Sequence, residues 1–324
     1  MTTLIPNRCA YGMISSSGTA NKTTILLNTG NYPSYSNYLN TTLTFPGSGT
    51  PNWSQVSVNN SSFVDPSGPL PTRINAVMSW DGYNVMLFGG QESSSLGGIL
   101  EDTWTLANAT TWSQAAPTTV PFGRYNAEAA YLAGTGVVMF GGEIVGQLVN
   151  ESWIWNGNTK AWSQVTSTNN QSSWPSARIG HCIAASSTQV IMFGGRGNNS
   201  QNNSTWSFAS GAWTQLTPTT PPSVRSEAAM AYDATANVFV LFGGQNEYNY
   251  LDETWVLSST GTAWTKVTGA MPSGRISAQM SYDSTLGKVV LFGGIDATSN
   301  CPTNDTWEFI YNSGTPSLSS WTQL

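Results

Sequence analysis

Charged side chains are scarce in this chain. Asp, Glu, Lys and Arg make up 9% of its 324 residues, and the net charge is −6. Eleven basic residues, six of them at one repeated position, leave no basic patch, which excludes a nucleic-acid surface. No run of 18 apolar residues occurs, so no helix is expected to insert in a membrane. The opening Met1-Thr-Thr-Leu-Ile-Pro has neither a charged start nor an apolar core, so no signal peptide is visible. One histidine and three cysteines at unrelated spacings give no zinc cluster and no disulfide framework. Nucleophile-elbow, HExxH, P-loop and dinucleotide-binding glycine patterns are all missing. Neither a metal nor a cofactor is expected.

What the chain does have is a period. Val85-Met86-Leu87-Phe88-Gly89-Gly90 returns as residues 137–142, 190–195, 239–244 and 289–294, with the second glycines 52, 53, 49 and 50 residues apart. Repetition at this length means stacked copies of one unit, none of which can bury its core alone. Each copy carries a Thr or Ser followed by Trp, at Trp104, Trp153, Trp206, Trp255 and Trp307. A second Trp follows at Trp112, Trp162, Trp213, Trp264 and Trp321. A proline and then an arginine precede every glycine pair, at Arg73, Arg124, Arg178, Arg225 and Arg275. Residues 1–56 hold a worn copy with Arg8, Asn28-Thr29 in place of the Phe and first Gly, Leu43 in place of the first Trp, and Trp53.

Each copy reads as four short strands. The run into Gly-Gly is continuously apolar, as in a strand covered on both faces, and turn signals such as Asp81-Gly82 separate it from the first strand. Four antiparallel strands at this period, with recurring glycine and aromatic positions, describe a propeller blade.

The double glycine, the two spaced aromatics and the opening arginine resemble the kelch family of β-propellers along the whole chain. The resemblance implies an all-β, six-bladed propeller with four antiparallel strands per blade, forming a single domain over 1–324. The blades fall near 1–58, 59–115, 116–168, 169–218, 219–268 and 269–324. From Trp321 through Leu324 and on from Met1 to Arg8 would span 11 residues, matching the other inter-blade linkers. The N- and C-termini are therefore expected side by side, with no blade shared between chain ends.

Functional candidates are sought where the repeat fails. Eleven of the fourteen tryptophans occupy repeated positions and read as packing; Trp174 has no such slot and is either a loop anchor or a platform for a sugar or partner. The repeated arginines admit two readings. They either ring one mouth of the channel as an anion site, a role the resemblance allows, or latch to backbone carbonyls and to the acids Asp102, Glu151, Glu253 and Asp305. Blade four has Ser204 and blade one Thr41 at the acid position, so Arg178 and Arg8 are the least neutralised. His181 stands at a packing position where the other complete blades have alanine. Glu128 and Glu227, with His181, are the candidates for acid–base chemistry. Cys9 and Cys182 are expected on innermost strands as buried free thiols, and Cys301 in a loop.

Strand direction gathers the loops after Gly-Gly, the inter-blade linkers and the arginines on one face. Arg196, Tyr248 and Tyr250 belong to that face, where binding residues on a rigid scaffold collect. The expected function is a non-catalytic binding or structural module engaging a protein or surface glycan there, with assembly into a larger surface structure open to it. An Asn-, Ser- and Thr-rich, lysine-poor surface suits an extracellular, cell-envelope or virion setting. The alternative is a carbohydrate-active enzyme at the channel mouth. Galactose-oxidase-type copper chemistry is excluded, since it needs two histidines; a sugar mutarotase, isomerase or lyase needs only polar groups.

Overall fold

The computed structural model describes residues 9–16, 24–30, 42–44, 54–56, 70–71, 73–92, 98–107, 111–166, 174–315 and 319–324. They form strands and turns and contain no α-helix. Five four-stranded antiparallel sheets follow one another. Blade two is Val77–Trp80, Val85–Phe88, Thr103–Ala107 and Thr111–Ala115, and blade three Glu128–Leu132, Gly136–Phe140, Ser152–Asn156 and Ala161–Val165. Blade four is Cys182–Ala185, Val190–Phe193, Thr205–Ala209 and Ala212–Leu216. Blade five is Ala229–Asp233, Val238–Phe242, Thr254–Ser258 and Trp264–Val267. Blade six is Gln279–Asp283, Lys288–Phe292, Thr306–Ile310 and Ser320–Gln323.

The first copy differs from the four-stranded blade expected of it. Cys9–Ser16 pairs with Thr24–Gly30, with a register shift between Ala10 and Met13, and Thr42–Thr44 pairs separately with Ser54–Val56. The two ladders lie beside each other, with no pairing between them among the described residues. This is the copy that lost the double glycine and the first tryptophan, and its third strand has shrunk to three residues. It nevertheless holds the sixth position: the innermost strands neighbour one another in sequence, and Cys9–Ser16 touches both Val77–Trp80 and Gln279–Asp283, closing the ring. Arg8 and Met1 lie outside the described residues.

Burial explains the sequence pattern. Val85–Phe88, Val190–Phe193 and Val238–Phe242 are buried throughout, as strands sandwiched between neighbours must be. On the outer strands Ala161–Val165 and Ala212–Leu216 only the tryptophan is buried; Val165 and Leu216 are half-buried against the core, and the rest faces water.

The glycine pair marks the closest approach between blades. A Cβ on Gly89, Gly141, Gly194 or Gly243 would lie 2.5–2.7 Å from the carbonyl oxygen of the next blade's arginine, and all four have φ between +66° and +72°. The second glycine donates its N–H to that same carbonyl, as in Gly90 to Arg124 (2.8 Å) and Gly244 to Arg275 (2.9 Å). Only glycine combines this backbone angle with this contact.

The two tryptophan positions are also resolved at the seams. Trp162, Trp213, Trp264 and Trp321 each donate an indole N–H to the hydroxyl preceding the third-strand tryptophan of the preceding blade: Thr103 (2.9 Å), Ser152 (3.1 Å), Thr205 (3.2 Å) and Thr254 (2.8 Å). The same indoles pack at an angle on Phe88, Phe140, Phe193 and Phe242, with centroids 5.1–5.4 Å apart. The Thr/Ser-Trp pair is thus a seam acceptor beside a core ring. Replacing Thr103 with Val keeps the shape but strands a buried indole N–H, at a cost of about 1–3 kcal/mol. Thermal unfolding of Thr103→Val and Thr103→Ser checks this: the serine variant is expected to retain most of the stability.

Candidate functional site: the channel mouth and loop face

The five described repeat arginines do not ring the mouth as exposed guanidinium groups; each is at most 3% exposed. Each instead latches its own blade. Nη1 donates to the carbonyl of the first glycine, from Arg73 to Gly89 (2.9 Å) through Arg275 to Gly293 (2.9 Å). Nε donates to the carbonyl two residues upstream, from Pro71 to Ser273. In four blades the guanidinium also meets the acid before the first tryptophan: Asp102 (2.5 Å), Glu151 (2.6 Å), Glu253 (2.6 Å) and Asp305 (2.7 Å). The adjacent tryptophan N–H reaches the same carboxylate in every case. These bonds hold Glu151 and Asp305 below the usual carboxylate range, and Lys266 (2.6 Å), Arg225 and Trp255 together hold Glu253 at about 2, all against the opposing effect of burial.

Blade four is the exception. Arg178 contacts Asn202 Oδ1 (3.1 Å), Ser204 Oγ (3.0 Å) and Ser176 Oγ (3.0 Å), and pairs with no carboxylate among the described residues. Burial lowers its pKa to about 10.

Around the channel runs an inner collar that the sequence did not announce. The second residue after each arginine, Asn75, Asn126, Gly180, Glu227 and Ser277, has φ of +54° to +60°. Successive collar residues are joined by N–H to carbonyl bonds, Asn126 to Asn75 (3.0 Å), Glu227 to Gly180 (2.6 Å) and Ser277 to Glu227 (3.1 Å). Four of the five carry a side chain in a conformation that costs on the order of 1 kcal/mol or more, which the inter-blade bonds help offset. Glu227 is held by Gln245 (2.9 Å) and Ser277 (3.0 Å), so its carboxylate is a fixed part of this collar.

Glu128 and His181 occupy facing positions of the blade three–four seam. At other seams the equivalent pairs, Val77 with Ala127, Cys182 with Ala228 and Ala229 with Ala278, belong to apolar clusters. Glu128 keeps some contact with the channel, yet the surrounding protein raises its pKa to about 8 by desolvation. His181 is 1% exposed, and neither ring nitrogen makes a hydrogen bond of normal geometry. Burial, then the Arg178 charge, lowers its pKa to about 3, with the Phe140 backbone opposing in part. The ring stands edge-on to Phe140 at 5.8 Å. Beside them the Cys182 thiol is buried and pushed up in pKa, first by desolvation and then by Glu128. Cys301 is exposed.

The remaining candidates spread over the loop face. Trp174 is an anchor: its indole N–H donates to the Asn150 carbonyl (2.7 Å) and its ring packs on the Phe140–Trp213 cluster. Arg196 is exposed, with its backbone paired to Ile179. Its charge opposes the rise of Tyr125 to about 12, which burial and then Glu143 produce. Tyr248 is 84% exposed, while Tyr250 is half-buried and donates to Asn300 (3.3 Å). No group of three or more metal-ligating side chains occurs among the described residues.

A ring of antiparallel blades with its variable side chains on one loop face defines a β-propeller of the kind that serves as a protein-binding or structural module. The family model of the KLHDC2/KLHL20/DRC7 Kelch-repeats domain matches residues 12–195, 76–294 and 180–324, and the chain belongs to the Kelch-repeat family. No curated protein matches the chain.

Proposed function

We propose that this propeller is a non-catalytic module that docks a protein partner on its loop face. The observation that carries this reading is the distribution of exposed large apolar residues. Among the described residues, Val120, Phe122, Val145, Val224 and Tyr248 sit in linkers and post-glycine loops of that face, whereas Tyr83 and Ile310 mark the opposite one. Aromatic anchors on a rigid scaffold, surrounded by polar rim residues, make an interface that needs little ordering on binding. Two of the three acid–base candidates are committed elsewhere: Glu227 to collar bonds and His181 to an enclosed seam position. A glycan met by the same Tyr- and Asn-rich loops is the finer alternative. The lysine-poor, amide-rich composition supports a cell-surface, cell-envelope or virion setting.

Capture by the immobilised chain tests the reading. Phe122→Ser and Tyr248→Ser are each expected to weaken partner binding about 30-fold, the loss of one hot-spot anchor. Tyr83→Ser, on the other face, is the control. Equal binding by all three variants removes the loop face as the docking surface.

A further inference from the structure

Blade four keeps every donor of the latch and lacks the anion they serve. In blades five and six the arginine Nη2 makes two bonds: Arg225 to Ser223 Oγ (3.0 Å) and Glu253 (2.6 Å), Arg275 to Ser273 Oγ (3.0 Å) and Asp305 (2.9 Å). Arg178 Nη2 makes only the first, to Ser176 Oγ at 3.0 Å. The Trp206 indole N–H, which in other blades reaches a carboxylate, ends on the Ser204 hydroxyl (3.1 Å). Asn202 and Ser204 give Nη1 acceptors but no charge. Among the described residues, a guanidinium 2% exposed is thereby left without a counter-ion, an arrangement that buried charge does not tolerate cheaply.

The surrounding sequence points the same way. From the residue after Gly-Gly to the residue before Thr/Ser-Trp, the other described blades carry two or three acids. These are Glu92, Glu101 and Asp102; Glu143 and Glu151; Glu247, Asp252 and Glu253; Asp296 and Asp305. The blade-four segment, 196–204, has none and adds Arg196. Of the five segments in the described blades it is the one with a net positive charge. Access exists from the loop face, where Ser176 is exposed and Asn202 and Ser204 are partly exposed.

We propose that the blade-four latch binds a free small anion, of halide or short-carboxylate chemistry, in place of the side-chain carboxylate this blade lacks. The anion accepts from the second N–H of Arg178 Nη2, with the Ser176 and Ser204 hydroxyls and the Trp206 indole at hand. Arg178 and Trp206 would then be held as their counterparts are, and blade four would be as firmly latched as the rest. This site is independent of the docking surface proposed above.

Thermal unfolding of the full chain at constant ionic strength tests it, with chloride, and in a second arm acetate, replacing the sulfonate isethionate. A saturable rise in Tm of roughly 3–6 °C is expected for the wild type, the size of a ligand held well above its Kd. Ser204→Asp or Ser204→Glu supplies the carboxylate internally, so the better folded of the two should start at a higher Tm and show no rise. A response to one arm alone selects halide or carboxylate chemistry. A flat wild-type curve in both arms, or an equal rise in the variants, overturns the proposal. Crystals grown in bromide give a readout that needs no variant: an anomalous peak at Arg178 Nη2 supports the site, and none at saturating bromide rejects it.

Discussion

Raising the pH from 6.5 to 8 is expected to destabilise the propeller, and Glu128→Gln is expected to abolish most of that loss. Glu128 has its folded-state pKa raised to about 8 from an ordinary 4.5, so the folded chain keeps a proton that the unfolded chain releases. Between those values stability falls with pH, by about 1.4 kcal/mol per unit, and the penalty is complete above 8. His181 has the opposite sense. Its pKa is lowered to about 3 from 6.5, so stability rises with pH across that interval. From 4.5 to 6.5 the two slopes cancel, leaving a plateau with a fall on either side. The acid limb is shared with Glu151, Glu253 and Asp305, whose depressed pKa values make their contribution disappear as they protonate. The alkaline limb belongs chiefly to Glu128, which makes it the cleaner test. Urea unfolding at pH 6 and pH 8 reads the difference; a wild type equally stable at both values refutes the assignment.

Removing one latch carboxylate should be the most damaging single change on the surface-facing side of a blade. Asp305 accepts from both guanidinium nitrogens of Arg275 (2.7 and 2.9 Å) and from the Trp307 indole (2.6 Å). Asp305→Ala leaves a buried cation and an indole N–H without their acceptor, which costs about 3–5 kcal/mol. Arg275→Lys should not rescue the latch, because a single ammonium cannot bond Gly293, Ser273 and Asp305 in one plane. Ser204→Ala in blade four should cost much less, since no ion pair is broken there. Chemical denaturation of the three variants ranks them. A loss at Ser204 equal to that at Asp305 would show that the carboxylate is not what the latch depends on.

The fold was legible because its causes recur in identical letters. Gly-Gly, Trp and Arg each meet one fixed demand, respectively a seam contact, an inter-blade indole and a latch, and the demand repeats every blade. Arg178 could be picked out for the same reason, since Ser204 breaks a column of acids. The collar was hidden because its demand is on the backbone. Asn75, Asn126, Gly180, Glu227 and Ser277 share an angle and little side-chain chemistry, so no column of letters marks them. That Glu128 and His181 take the positions held by apolar pairs at other seams was missed because the two residues lie at different offsets from their arginines, on different blades. In the first copy the letters had eroded, and the four-stranded blade expected there appears as two ladders.

The four described tryptophan-to-hydroxyl seams all run in the same sense, from each blade back to the one before it. Blades three, four and five, whose two flanks are both described, therefore have unlike flanks, one male and one female, and this stretch of the ring is vectorial. A circular permutant cut in any linker would reunite the same flanks and close normally. A fragment missing one blade would carry a male flank at one end and a female flank at the other. Such a fragment is complementary to copies of itself, head to tail, and its natural fate is an open polymer in place of a smaller ring.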